Sequence, residues 1–169
     1  GSYSGGILTA VEIQFDDDVA LEAKVDSVAA DSLTLTGITG LTVAANSLTE
    51  VDGAVDSFAA ISGGRFIKVL GNWLPGSDVV LANKIEVENP SSTIEVRIRG
   101  VVSNASNPFI TLLGATIDTS GVSYRSSTGS TLSAAQFFAQ AGAGVSVRLE
   151  GRQDNLTNAL TWTRLSLQS

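Results

Sequence analysis

The sequence contains no cysteine and no histidine. This rules out disulfides, the usual zinc and iron–sulfur ligand sets, thiol nucleophiles and every histidine-based acid–base or triad mechanism. No stretch approaches the roughly 18 uncharged apolar residues that span a membrane. No signal peptide, transit segment or lipidation motif is present either. The sequence opens on Gly1-Ser2 without an initiator methionine, which leaves room for an export signal removed beforehand. It also lacks the phosphate-binding G-x-x-x-x-G-K-[ST] loop and the G-x-S-x-G nucleophile elbow. Without disulfides, burial alone must offset chain entropy. Domains of about 70 residues are marginal on that count, so docking between neighbours is expected.

Basic residues are scarce. Ten lysines and arginines face 17 aspartates and glutamates, for a net charge of −7. That balance speaks against nucleic-acid binding, which needs a basic footprint. The charge is uneven along the chain. Residues 1–91 hold four basic and thirteen acidic residues, a balance of −9, and residues 92–169 hold six and four, a balance of +2. Oppositely signed halves attract; variation among solvated surface charges is the simpler reading.

What the sequence does have is an internal repeat. Leu21-Glu22-Ala23-Lys24-Val25 matches Ile94-Glu95-Val96-Arg97-Ile98, apolar for apolar, acid for acid and base for base, 73 positions on. Gly64-Arg65-Phe66-Ile67-Lys68-Val69-Leu70-Gly71 matches Gly144-Val145-Ser146-Val147-Arg148-Leu149-Glu150-Gly151, 80 positions on. The match continues without a gap to Lys84-Ile85-Glu86-Val87 against Arg164-Leu165-Ser166-Leu167. The change of offset places about seven extra residues in the second copy, in loops such as Asn104–Pro108 and Ser126–Ser130. Residues 7–14 echo residues 81–88, so residues 5–14 read as the closing strand of an upstream repeat, joined to the first copy by the acidic linker Asp16-Asp17-Asp18. An unrelated N-terminal strand is the alternative, because short β patterns recur by chance.

Each copy reads as strands of period two punctuated by Gly, Asn, Asp and Ser. The first copy has strands near 20–29, 32–37, 40–45, 64–73 and 79–88, and the second near 93–102, 109–113, 115–120, 144–153 and 159–168. One segment per copy has helical spacing instead: 52–61, and 131–141, where Leu132, Ala135, Phe138 and Ala139 share a face, Ser133 or Thr131 caps the start and Gly142 the end. Phe58 and Phe138 align as rings that plug the barrel end. The expected fold is mainly β: two tandem five-stranded OB-like barrels, each with one short helix between its third and fourth strands. The competing architecture is a flattened six-stranded sandwich. The domain reading is residues 1–18 as N-terminal strand and linker, 19–89 as the first barrel and 90–169 as the second.

Parity assigns the faces. Leu21, Ala23 and Val25, Ile94, Val96 and Ile98, Ile67 and Val69, Val147 and Leu149, Ile85 and Val87, Leu165 and Leu167 point inward. Glu22, Lys24, Lys68, Lys84, Glu86, Glu95, Arg97, Arg148, Glu150 and Arg164 point outward, where they keep the sheet soluble and in register. The opening strands Leu21–Val28 and Ile94–Val101, the strands Gly64–Gly71 and Gly144–Gly151, and the closing strands Leu81–Val87 and Thr161–Leu167 together resemble a bacterial family catalogued as domain of unknown function 5666. That resemblance implies tandem OB-like repeats, often in exported or lipid-anchored envelope proteins. It brings no catalytic residues.

Candidate sites are few. Lys24, Lys68 and Lys84 fall on outward parity, where burial would not activate a Ser–Lys dyad. Asp118-Thr119-Ser120-Gly121 lacks the second carboxylate of an aspartic-protease dyad and reads as the polar end of a strand. Asp16–Asp18 lacks the alternating spacing of a calcium loop. Strands two and three present Thr34, Thr36, Thr42, Thr111 and Thr116 rather than the stacking platforms of a single-strand binder. No catalytic, metal or cofactor site is expected. The candidate interaction surface is Phe66 and Leu70, outward where the second copy has Ser146 and Glu150, with Trp162, outward where the first has Ala82, and Tyr124 beside Arg125 in an inter-barrel groove. Trp73 has inward parity at a strand end and is expected in the core. The expected role is a non-catalytic scaffold or interaction module of an exported, periplasmic or outer-membrane-associated protein. A carbohydrate or small-ligand binder is the alternative. Partners are a protein or a glycan, membrane attachment comes only through a removed lipid anchor, and strand exchange offers a route to a homo-oligomer.

Overall fold

The computed structural model describes residues 2–4, 7–9 and 17–168. Two short strands, β1 (Ser2–Ser4) and β2 (Ile7–Thr9), pair antiparallel with each other. The rest of the expected N-terminal strand, residues 10–14, lies outside the described residues, as does Asp16. The first half comprises β3 (Val19–Val28), β4 (Ser32–Leu35), β5 (Ile38–Ala44), β6 (Glu50–Gly53), a single 3-10 turn at Phe58–Ala60, β7 (Phe66–Trp73) and β8 (Val79–Glu88). The second comprises β9 (Thr93–Ser106), β10 (Phe109–Leu112), β11 (Ala115–Asp118), β12 (Ser123–Arg125), β13 (Thr131–Leu132), helix α1 (Ala134–Gln140), β14 (Ser146–Asp154) and β15 (Leu160–Leu167). The protein is mainly β, with one large mixed sheet and one α-helix among the described residues.

In the first half β3 pairs with β4 and β7, β4 with β5, β5 in parallel with β8, and β8 with β7. Following partners from β3 therefore leads back to β3. In the second half β9 pairs with β10 and β14, β10 with β11, and β14 with β15. β15 takes β12 as its parallel partner, and β12 takes β13. Among the described strands β11 pairs only with β10, so this path does not close. The cause lies in the residues after β11. The Asp118 carboxylate accepts from the Ser120 amide at 2.9 Å and the Ser120 hydroxyl at 2.6 Å. Fully buried Thr119 sends its hydroxyl to the Pro108 carbonyl at 2.7 Å. These local bonds compete with the ladder and turn the chain away from β15.

Every inward residue assigned by parity is buried, from Leu21 and Val25 to Ile98 and Leu167, except Trp73 at the end of β7, which is half-buried. The buried residues of both halves form one connected cluster rather than two private interiors. The halves also share backbone pairing, since β3 and β9 are antiparallel neighbours with Ala20 opposite Arg99, Leu21 opposite Ile98 and Glu22 opposite Arg97.

Parity fails at one place in each half. A bulge inserts Asn83 in β8, opposite the Leu70–Gly71 step of β7, and Thr163 in β15, opposite the Glu150–Gly151 step of β14. The residue facing the bulge is glycine both times, Gly71 and Gly151, because the bulged strand comes too close for a side chain. A Cβ at Gly71 would sit 2.3 Å from the Leu81 carbonyl oxygen, and one at Gly151 2.7 Å from that of Thr161. The extra residue reverses the parity of its own strand, so Ala82 is buried rather than outward.

The helical segments also differ from expectation. Residues 50–53 form strand β6, parallel to β8, and only Phe58–Ala60 makes a 3-10 turn, so the first half has no α-helix. In the second half β12 and β13 precede the helix. Ser133 caps it in a reciprocal capping box with Gln136, and Ala141 rather than Gly142 ends it. Its inward face is Phe137 and Ala141, whereas Ala135 and Ala139 are exposed. Phe137, not Phe138, is the fully buried ring. It packs 5.1 Å from the Tyr124 ring and 5.5 Å from that of Phe138. The repeat offset of 80 pairs Phe58, which is only half-buried, with Phe138 rather than with the buried ring of Phe137.

Candidate binding face

The strands β8, β7, β3, β9, β14 and β15 lie side by side in that order, and their outward residues make one continuous face. Register sorts these residues into rows across the strands. One row reads Glu86, Lys68, Glu22, Arg97, Glu150, Arg164, alternating in sign on all six strands. Arg97 sits at its centre, 3.1 Å from Glu22 and 3.6 Å from Glu150, with Glu95 at 2.8 Å along its own strand. Lys68 reaches Glu22 at 3.9 Å and Glu88 at 3.7 Å, and Arg164 reaches Glu150 at 3.7 Å. Such exposed pairs contribute a few tenths of a kcal/mol each, up to about 1. Their larger effect is on register, because a one-residue slip would oppose like charges.

The neighbouring row is different. It reads Lys84, Leu70, Ala20, Arg99, Arg148, Ser166. Arg99 stands directly opposite Arg148. Among the described residues no carboxylate lies within ion-pair distance of Arg99, whose Nη2 donates to the Asp17 carbonyl at 3.3 Å. A groove of about 410 Å³ follows this row over Leu70, Ala20, Lys84, Arg99, Arg148 and Gln168. Asp17 and Asp18 are docked beside the strands: the Asp17 carboxylate accepts from Asn83 at 2.7 Å and that of Asp18 from the Trp73 amide at 3.0 Å.

The five residues read from sequence as one interaction surface are dispersed. Leu70, 40 % exposed, lies in the groove just described. Phe66, half-buried on the same strand, lines a separate hollow with Glu88, Asn89 and Ser91. Trp162 is half-buried against Gly151 and lines a cleft of about 210 Å³ between β11 and the Gly37–Thr39 turn of the first half. Tyr124 is no part of a surface. It is 8 % exposed, and its hydroxyl is held by Thr119 at 2.9 Å. Arg125 donates to Thr131 at 2.8 Å, away from the cleft. Trp73 is half-buried and donates its indole N–H to the Ser77 carbonyl. Tyr124 was misplaced because β12, which carries it inward beside Phe137, has too few residues to show a period.

The halves meet through two matching contacts beside the shared strands. The β4–β5 turn at Gly37 packs on Leu160 and Gln153 of the β14–β15 hairpin, while Gly114 in the β10–β11 turn packs on Asp78 of the β7–β8 hairpin. Buried Gln153 donates to the Thr36 carbonyl at 3.1 Å, and Lys24 reaches Asn155 O and Asn158 Oδ1 at 2.9 and 2.8 Å. Two carboxylates titrate below the usual aspartate range. Asp118 is held ionised by the Ser120 hydroxyl and amide, and Asp154 by the amides of Thr157 and Leu156. Both organise turns. Among the described residues no group of acids is placed to hold a metal ion. Comparison with family models, curated proteins and solved structures gives no match to this chain.

Proposed function

We propose that this chain is a rigid, non-catalytic module of two tandem OB-like barrels, serving as a scaffold and interaction segment of an exported or envelope protein. The strand order of the first half, one-two-three-five-four and back to one with three parallel to five, is the order of an OB barrel and supports this reading. The second half follows the same order with its three–five seam unpaired.

The observation that carries the proposal is the join. Repeat-equivalent strands β3 and β9 pair antiparallel, and each half's last hairpin docks on the other's β-turn. That is two-fold geometry, as in an isologous dimer, achieved within one chain. It supplies the docking that barrels of this size need, and it turns two small units into one stiff body with a continuous outer sheet. The likeness to the envelope family rests on the same strand patterns and adds the exported setting.

The rigidity is tested by residual dipolar couplings: amides of both halves fit one alignment tensor, whereas independent tensors contradict the proposal. The setting is tested by fractionating cells that express the full-length protein. Recovery in the periplasm or at the surface agrees with it, and recovery in the cytoplasm contradicts it.

A further inference from the structure

We propose that the groove over Leu70, Ala20, Arg99 and Arg148 binds an acidic polysaccharide, with the Arg99–Arg148 pair holding a sugar carboxylate. The inference rests on the module reading, because the groove exists only where β3 and β9 join the two halves. Like charges directly opposite on neighbouring strands are destabilising. On this face the alternative was available, since the adjacent row alternates in sign across all six strands. Lys68, Lys84, Arg97 and Arg164 each have a carboxylate within 4 Å, whereas among the described residues Arg99 meets a backbone carbonyl and no carboxylate. Arg99 and Arg148 are register partners that line one groove, Arg148 with Glu150 at 3.9 Å and Arg99 with no carboxylate among the described residues, so a planar carboxylate seated between them can accept from both.

The rest of the row selects the kind of anion. Lys84 lies on the same row three strands from Arg99, about 14 Å away at normal strand spacing. The stretch between them is apolar, Leu70 and Ala20. A ligand that serves both ends carries charges far apart with an aliphatic face between them, as a uronate chain does. Glu22 and Glu86 beside the row deny a densely charged polyphosphate the continuous basic track it needs. Gln168 and Ser166 offer an amide and a hydroxyl for sugar hydroxyls at the Arg148 end. An acidic peptide would gain most by adding a strand to a free edge, and here Lys84, Leu70, Ala20, Arg99 and Arg148 all sit on strands paired on both sides.

The test is calorimetric titration of the whole chain with an oligogalacturonate, its methyl ester, inorganic phosphate and an oligo-aspartate peptide. The expected result is saturable binding of the oligogalacturonate alone, weakened at least about tenfold by Arg99→Gln or Arg148→Gln and unchanged by Arg125→Gln. Relief of the like-charge pair leaves the melting temperature of Arg148→Gln equal to or above that of the parent. Equal binding of the methyl ester, phosphate or peptide overturns the proposal, as does binding indifferent to both arginines. An absence of heat from a protein whose halves share one alignment tensor removes the groove and leaves the module reading intact; separate tensors remove the module reading itself.

Discussion

The two halves of the sheet are built from the same strands in the same order and differ at one seam. In the first, Thr42–Ala44 of β5 pair with Val79–Leu81 of β8, and the strand path closes. In the second, β11 stops at Asp118 and β15 begins at Leu160 without a partner on that side. The first half closes with no α-helix. The second, left open, has α1, the strand β13 and three rings packed tilted or edge to face, Tyr124, Phe137 and Phe138. The first half's Gly37–Thr39 turn lies beside the unpaired edge of β11. A closed ladder and an aromatic plug backed by a neighbour are thus two solutions to the edge-strand problem in one chain.

That contrast makes the second half depend on its plug. Phe137→Ala should cost about 3–5 kcal/mol in denaturant unfolding. Phe58→Ala, which truncates a half-buried ring in the first half, should cost less than half as much. Equal losses would mean that the halves are sealed alike. Next in size are the bulges. Gly71→Ala and Gly151→Ala should each cost about 1–3 kcal/mol by overpacking. Gly71→Ala should be the worse, because its Cβ meets backbone at 2.3 Å while at Gly151 one of the two nearest atoms belongs to the Trp162 side chain. Thermal unfolding of the two variants ranks them.

Thr119→Val sharpens the comparison at the open seam. It leaves the buried Tyr124 hydroxyl without the Thr119 hydroxyl and should cost about 1–3 kcal/mol, read as faster amide exchange in β12 and β13 with β5 and β8 unaffected. The smallest effect is acid sensitivity. Asp118 and Asp154 titrate below the usual range because the fold holds their ionised forms. Their stabilisation is complete above about pH 4, the ordinary aspartate value, and is lost as pH falls through the lowered folded values. Both lie in the second half, so its melting should decline first below that pH, and Asp118→Asn with Asp154→Asn should flatten the decline.

Much of this was legible in the sequence, for a physical reason. Strands with one buried face leave a period-two record, so all ten principal strands and the inward set from Leu21 to Leu167 were readable. The glycine pair Gly71 and Gly151 was visible as a repeat match, though not its meaning. β6 and β12 left no record, because strands of four and three residues carry no period. The choice between Phe137 and Phe138 was beyond pattern, since a helix of seven residues tolerates either ring inward. The binding face was hidden for another reason. Arg99 was one basic residue among ten until the strand pairing set it opposite Arg148 and beside the join of β3 to β9. A row across strands is a property of register, which no single strand encodes.

Native-state hydrogen exchange on the β5 and β11 amides tests the closed-against-open contrast most directly. The Thr42 amide, which donates to the Asp78 carbonyl at 2.8 Å across the closed seam, should exchange only on large-scale opening. Amides of β11 that face away from β10 should exchange by local opening, orders of magnitude faster. Equal protection on the two strands would show that both halves close the same way and would contradict the account.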